Sequence, residues 1–275
     1  MVAVSSILDA LQLEPDGDLR YRAGNAETGH PVVFGGQLLA QSIVAALLGH
    51  EGKTVKTLHT VFARAASPDS GVDIVVDPVH AGRALASSTV TISQGERVCT
   101  RSMVLMSAEE PDLIRHAEPA PPLAPPPVDP SGEDWVVEIV GGVDVSDPDQ
   151  VGPPELAVWT AFPGAPGDGA LSQALLAFAT DGFLIGTAMR PHPGVGQAQA
   201  HVSLSTGVLS HTITFHEPVS AGRWMLLAHR SLYAGHGRSY GRADVFGPDG
   251  RLVASFVQDS MIRAMAPRAT GAAAL

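Results

Sequence analysis

Gly169-Ala-Leu-Ser-Gln-Ala-Leu-Leu-Ala-Phe-Ala-Thr-Asp181-Gly-Phe-Leu-Ile-Gly-Thr-Ala-Met189 is apolar on almost every side. Leu171, Ala174, Leu175, Phe178, Gly182, Ile185 and Met189 fall at helical spacing, and the remaining faces are mostly apolar too. That is the pattern of a buried helix. At ~1.5 Å per residue it would be roughly 30 Å long, about the width of a small domain. Its one carboxylate, Asp181, lies at the edge of the main apolar stripe. A buried carboxylate needs a hydrogen-bond partner, a raised pKa or an opening onto water. Two readings of Asp181 follow: a structural acid bonded to nearby backbone, or a functional acid at a cleft.

Working outward, Val32-Val-Phe-Gly-Gly-Gln-Leu-Leu-Ala-Gln-Ser-Ile-Val-Ala-Ala-Leu-Leu48 predicts an earlier apolar helix entered through Gly35-Gly36, where glycine allows a tight turn and close approach. A short helix over Ser5 to Leu13, capped by Ser5 or Ser6, and a short strand at Leu19 to Tyr21 precede it. From Thr54 the period changes from helical to alternating. Strands are expected at 57–62, 72–76, 84–92 and 98–106, with a hairpin turn at Gln94-Gly-Glu96. Pro119-Ala-Pro-Pro-Leu-Ala-Pro-Pro-Pro-Val-Asp-Pro130 then interrupts any ladder or helix and reads as a stiff extended linker. Strands are expected again at 135–140 and 156–162 before the central helix, and at 205–216, 224–231, 237–246 and 252–263 after it. Gly247-Pro-Asp-Gly250 turns the last hairpin, and the tail from Ala264 is expected to fray.

Composition narrows the function classes. The 275-residue chain is 45% hydrophobic and 16% charged, enough for an ample core. Cys99 is its one cysteine, which excludes a disulfide framework and any multi-cysteine metal site. A formal charge of -11 opposes a nucleic-acid partner. Arg223, Arg230, Arg238, Arg242, Arg251 and Arg263 gather late, either as a site for a small polyanion or as solvated faces. The N-terminus has no basic start or long apolar run, and Asp181, Gln173 and two glycines oppose membrane insertion of the central helix. A soluble cytoplasmic protein is expected, with no metal or cofactor.

The halves repeat. Leu58-His59-Thr-Val-Phe62 faces Ser210-His211-Thr-Ile-Thr-Phe215, and His80-Ala-Gly-Arg83 faces Tyr233-Ala-Gly-His-Gly-Arg238. Gln94-Gly-Glu-Arg-Val98 faces Pro248-Asp-Gly-Arg-Leu-Val253, and Thr100-Arg-Ser-Met-Val faces Gln258-Asp-Ser-Met-Ile. A period of about 150 residues means duplicated domains, each a sheet wrapped round a helix, rather than a solenoid. The two sheets are able to join edge to edge and so remove exposed strand edges.

On these residues the chain resembles the type II acyl-CoA thioesterases, the TesB-like double hotdogs. The resemblance runs from about residue 30 to 263. It rests on Val33-Phe-Gly-Gly-Gln-Leu, Leu58-His59 with Phe62, Gly82-Arg83, Ala179-Thr-Asp181, the strand from His211 to His216, and Ser255-Phe-Val-Gln258. It implies an α+β double hotdog, two long helices each wrapped by antiparallel strands of one continuous sheet. The units would be residues 1–110, a Pro-rich linker at 111–134, and residues 135–275. It also implies hydrolysis of fatty acyl-CoA by a water held between an Asp, a Ser or Thr, and a Gln, and association into a homodimer or larger homo-oligomer.

Asp181 matches the Asp and Gln258 the Gln. A gapless count back from Phe215-His216 puts Val208 at the hydroxyl position, and Thr206 and Ser210 share its strand parity. Chemically, a thioester carbonyl needs only a positioned water, a base and an oxyanion partner. A desolvated Asp181 suits the base, Gln258 orients water without ionising, and backbone N–H groups near Gly35-Gly36 are candidates for the oxyanion.

Other readings compete. Gly237-Arg-Ser239-Tyr-Gly241 fits the G-x-S-x-G elbow, but the residues after it alternate as a strand, where the elbow requires a helix. His59, His211 and His216 lack metal-ligand spacing and read as packing residues. Hotdog enoyl-CoA hydratases carry an Asp followed five residues later by a His, and the chain holds no such pair. The alternative from another class is a catalytically inactive double hotdog that binds acyl-CoA as a sensor or scaffold, which Val208 favours.

Overall fold

The structure, a computed structural model, describes residues 2–167 and 169–265. Helix α1 (Val4–Ala10) leads to β1 (Glu14–Pro15), β2 (Arg20–Ala23) and helix α2 (Gly35–Leu47). Strands β3 (Lys53–Phe62), β4 (Val72–Ala81), β5 (Leu85–Gln94) and β6 (Arg97–Ala108) complete the first half. The second half runs β7 (Val136–Ile139), β8 (Glu155–Ala161), α3 (Gly169–Thr180), α4 (Leu184–Met189), β9 (Leu204–Phe215), β10 (Met225–Gly235), β11 (Arg238–Phe246) and β12 (Leu252–Ala264). The tail beyond residue 265 lies outside the described residues, and Ala264 closes β12.

All twelve strands form one antiparallel sheet in the order β1-β2-β4-β5-β6-β3-β9-β12-β11-β10-β8-β7. The order of the first half is reflected in the second about the β3–β9 seam, so the internal repeat becomes a pseudo-two-fold axis. At the seam Thr57 lies opposite Thr214 and Val61 opposite Ser210. This is the double hotdog, with each half's inner edge covered by the other. The strands alternate as a half-buried pleat requires: in β5, Ala86, Ser88, Val90 and Ile92 are buried and the residues between them are not. One core runs through both halves and contains α2 and α3, which explains why those helices are apolar all round. The 169–189 stretch is long and apolar enough by composition to cross a bilayer, and here most of it is core.

Three expectations need correction. The single helix over 169–189 is two, α3 and α4, broken at Asp181–Phe183. Gly182 disfavours helix continuation, and its N–H bonds the Ala179 carbonyl only three residues back, tightening the last turn. Next, α1 has Ala3 rather than a serine at its N-cap. Its start is tied by backbone instead, since Val4 N–H donates to Glu133 and Trp135 N–H donates to Val2. Ser6 lies inside the helix, where its hydroxyl accepts the Glu27 N–H.

Lastly, the proline-rich segment is a strap as well as a spacer. Ala120 and Leu123 pack on Trp159, Leu226 and Phe246, on the sheet face turned away from the helices. Trp224 Nε1 donates to the Val128 carbonyl at 2.8 Å. An extended segment with few N–H groups lies flat on apolar surface with few donors left unpaired.

Candidate active site

Asp181 sits in the break after α3, facing the first turn of α2. Its Oδ2 accepts the Gly36 N–H at 3.1 Å, and its Oδ1 is buried with no hydrogen-bond partner. Burial pushes its pKa up to about 7, and the Gly36 hydrogen bond opposes that shift. The surroundings account for the size of the effect. Trp135 stacks on Phe162 and meets Phe178 and Phe183 edge-on, while Phe34 lies against Phe178. The Trp135 ring reaches Gly182, beside the acid. These rings offer a carboxylate almost no solvation.

The two glycines make the contact possible. A Cβ on Gly35 would stand 2.7 Å from Asp181 Oδ2 and 3.0 Å from the Phe62 ring, and one on Gly36 would run into the Phe178 carbonyl. With none, the N-terminal turn of α2 lies directly against the end of α3, and its positive dipole end faces the acid. The Gly36 amide is therefore committed to Asp181 and does not stand open for an oxyanion, contrary to the expectation from sequence.

Gln258 lies on β12, buried, between His211 of β9 and Gly241 of β11. Its Nε2 donates to Ser260 Oγ at 2.9 Å, and its Oε1 is buried without a partner. Two contacts bring the α3–α4 break over this level of the sheet. Leu184 of α4 fills the space above Gly241, where an added Cβ would lie 2.7 Å from its side chain. His211, stacked on Phe256, faces the carbonyl of Thr180, the residue before Asp181. Burial pushes the His211 pKa down to about 3, with the Thr180 carbonyl opposing and His59 assisting, so the ring is neutral. Neither ring nitrogen has a well-aligned hydrogen bond. Gln258 and His211 thus form a buried polar pair on the sheet, and the Thr180 carbonyl facing His211 brings the end of α3, one residue before Asp181, over it.

The hydroxyl candidates separate. The ladder pairs Ser210 with Asp259 and Val208 with Ser260, leaving Leu209 as a bulge. A bulge reverses side-chain parity, so Ser210 leaves the face it would share with Val208 by counting. Its Oγ donates to Asp259 Oδ2 at 3.0 Å, on the side of the sheet opposite Gln258. Ser210 is not in the site. Thr206 keeps the inner face and is buried, but it lies opposite Ile262. That is four residues along β12 from Gln258, roughly 13 Å.

Ser239 lies within β11, so the G-x-S-x-G match is a strand and no elbow. The late arginines are spread along the sheet: Arg230 lies opposite Arg242 and pairs with Glu155, Arg238 opens β11, and Arg251, past the other end of that strand, pairs with Asp249. The partner that sequence reading missed for Asp181 is Gly36, signalled by the Gly35-Gly36 pair but assigned there to a different role.

Comparisons agree with this architecture. The family model of the acyl-CoA thioesterase N-terminal domain matches residues 22–107, and that of the C-terminal domain matches residues 111–262. Acyl-CoA thioesterase 2 of Haemophilus influenzae is 27% identical, the alignment covering 94% of this chain and 98% of the relative. Acyl-coenzyme A thioesterase 8 of Homo sapiens is 25% identical over 94% of this chain and 88% of its own length. The crystal structure of an acyl-CoA thioesterase II, TesB2, from Mycobacterium marinum superposes with a TM-score of 0.78 at 26% identity, covering 97% of this chain and all of the other.

Proposed function

The chain belongs to the acyl-CoA thioesterase family, and we propose that it hydrolyses fatty acyl-CoA to free acid and CoA using a water that Asp181 activates and Gln258 orients. The observation that carries the residue assignment is the Asp181 carboxylate. One oxygen is held by Gly36, the other is buried and unpartnered, and the pKa is raised to about 7. A base with a pKa near the working pH is best matched to proton transfer.

In this mechanism Asp181 takes a proton from water as the hydroxide oxygen bonds to the thioester carbonyl carbon. Collapse of the tetrahedral adduct breaks the C–S bond, and the Asp181 proton passes to the departing thiolate. The products are a carboxylic acid and CoA thiol, and the carboxylate is regenerated. Gln258, which cannot ionise, accepts a hydrogen from the same water through Oε1.

A thiol-release assay across acyl-CoA chain lengths tests the reading. CoA release that disappears in Asp181→Asn supports it. The inactive acyl-CoA-binding alternative, which the apolar Val208 favours, requires tight binding with no release by the unaltered chain. We also propose self-association through the helix-averted face of the first half. Val61, Leu85 and Met103 are exposed there, whereas in the second half the strap covers Trp159, Leu226 and Phe246 on the face turned from the helices. Light scattering of the chain and of Met103→Glu tests this: a monomer in both cases refutes it.

A further inference from the structure

We propose that Ser260 supplies the hydroxyl of this site, from the strand facing the position where the resemblance would put one, and that it acts as a positioning residue through Gln258. The inference rests on the hydrolase reading above. Its observations are a hydrogen bond, a strand pairing and an internal comparison.

Ser260 is 1% exposed and its Oγ accepts the Gln258 amide hydrogen at 2.9 Å. Gln258 and Ser260 share a face of β12, being two residues apart on a strand. Directly across the ladder from Ser260 stands Val208, the residue that occupies the expected hydroxyl position. Opposed residues on neighbouring strands place their Cβ atoms about 4.5–5.5 Å apart. A hydroxyl on β12 at this level therefore reaches nearly the same space as one on β9.

The duplicated half shows what such a serine does when its role is structural. Ser102 is the repeat counterpart of Ser260, in Thr100-Arg-Ser-Met-Val against Gln258-Asp-Ser-Met-Ile. Its cross-strand partner Thr60 is hydroxylic, with the two oxygens 2.8 Å apart, and Ser102 Oγ also donates to Ser42 of α2 at 3.2 Å. Both capacities of that hydroxyl are used in packing. Ser260 has an apolar residue across the ladder and takes a hydrogen from Gln258, which leaves its own proton for another acceptor.

The Ser260 bond holds Gln258 Nε2, and so holds the amide with Oε1 as its open acceptor. An amide held this way offers a water one fixed acceptor, beside a hydroxyl with a proton to donate. Without the serine the amide rotates between two orientations, only one of which accepts from water. The loss then falls on the reacting geometry and not on the grip on the acyl-CoA.

The test is steady-state thioesterase kinetics on Ser260→Ala, Ser260→Thr, Gln258→Ala and the double variant Ser260→Ala/Gln258→Ala, each checked for wild-type secondary structure by circular dichroism. Ser260→Ala is expected to lower kcat on the order of 10–100-fold with KM changed less than about threefold. Ser260→Thr, which keeps the hydroxyl, is expected within about fivefold of wild type. In the Gln258→Ala background, Ser260→Ala is expected to add less than about twofold, because residues acting as one unit are not additive. Wild-type kcat in Ser260→Ala overturns the proposal, as does a loss that multiplies fully with that of Gln258→Ala. Either result, with Asp181→Asn still inactive, leaves the hydrolase reading standing. An unaltered chain that releases no CoA overturns both.

Discussion

Gly36 and Asp181 lie 145 positions apart and in opposite halves of the chain, yet the Gly36 N–H donates to Asp181 Oδ2 at 3.1 Å. The acid of the second half is therefore held by the helix of the first. The acid and the amide that holds it thus come from different copies of the repeat. The packing of α2 against α3 thus sets the surroundings of this acid as well as forming core.

If Asp181 is the base, the logarithm of kcat/KM should rise with a slope of about one below pH 7 and level off above it, because its pKa is raised to about 7 by burial. Asp181→Asn should lose on the order of 100- to 10,000-fold in kcat, the range of general-base catalysis. A pH-independent rate between pH 5 and 8 would remove Asp181 from that role.

The same substitution should make the protein more stable. A carboxyl whose folded pKa exceeds its unfolded value binds more protons when folded, so its contribution to stability falls as pH rises from about 4 to about 7 and stays low above that. Asp181→Asn removes this cost. Differential scanning calorimetry should find the variant melting above wild type at pH 8, with the gap narrowing as pH falls toward 4.

Buried histidines set the acid limit with the opposite sign. Burial lowers the pKa of His211 to about 3 and of His229 to about 4, the latter against the opposing carbonyls of Leu156 and Leu227. Each binds fewer protons folded than unfolded, so each contributes stability that is present above pH 6.5 and is lost as pH falls below it. Both histidines lower the melting temperature as pH falls from 7 to 5, against the opposite trend from Asp181. His229→Gln should reduce that slope, measured by thermal denaturation at fixed ionic strength.

Gly36→Ala should be the most damaging single methyl in the site, since its Cβ would meet the Phe178 backbone, which cannot rotate aside. Overpacking of this kind costs about 1–3 kcal/mol, to be read from chemical denaturation. Gly35→Ala presses on the Asp181 carboxylate and the Phe62 ring, so its effect should fall more on kcat than on stability.

Ser210→Ala should leave kcat within about twofold, and stability within about 0.5 kcal/mol as for other surface changes, because its hydroxyl serves Asp259 on the far side of the sheet. A large drop in kcat would put Ser210 in the site.

Much of this was legible in order along the chain. Strands with clean alternation, such as β5, and the all-apolar α2 were visible because period and burial have the same cause. The break at Asp181 is not legible, because Gly182 fits the helical stripe and a glycine is tolerated inside many helices. Counting gives the wrong face for Ser210 because a bulge inserts one residue without any distinctive composition at Leu209. Ser260, a lone serine in a strand, carries no signal until its neighbours across the ladder are known.

By itself the sequence determined the repeat, the elements and the presence of one acid in an apolar helical stretch, since these depend on local periodicity and on matching residues at a fixed offset. The tertiary structure alone decided which amide holds Asp181, which face Ser210 takes, and which strand brings a hydroxyl to Gln258. Those relations join residues up to 145 positions apart, and they are set by strand register and helix approach, which no local pattern of side chains encodes.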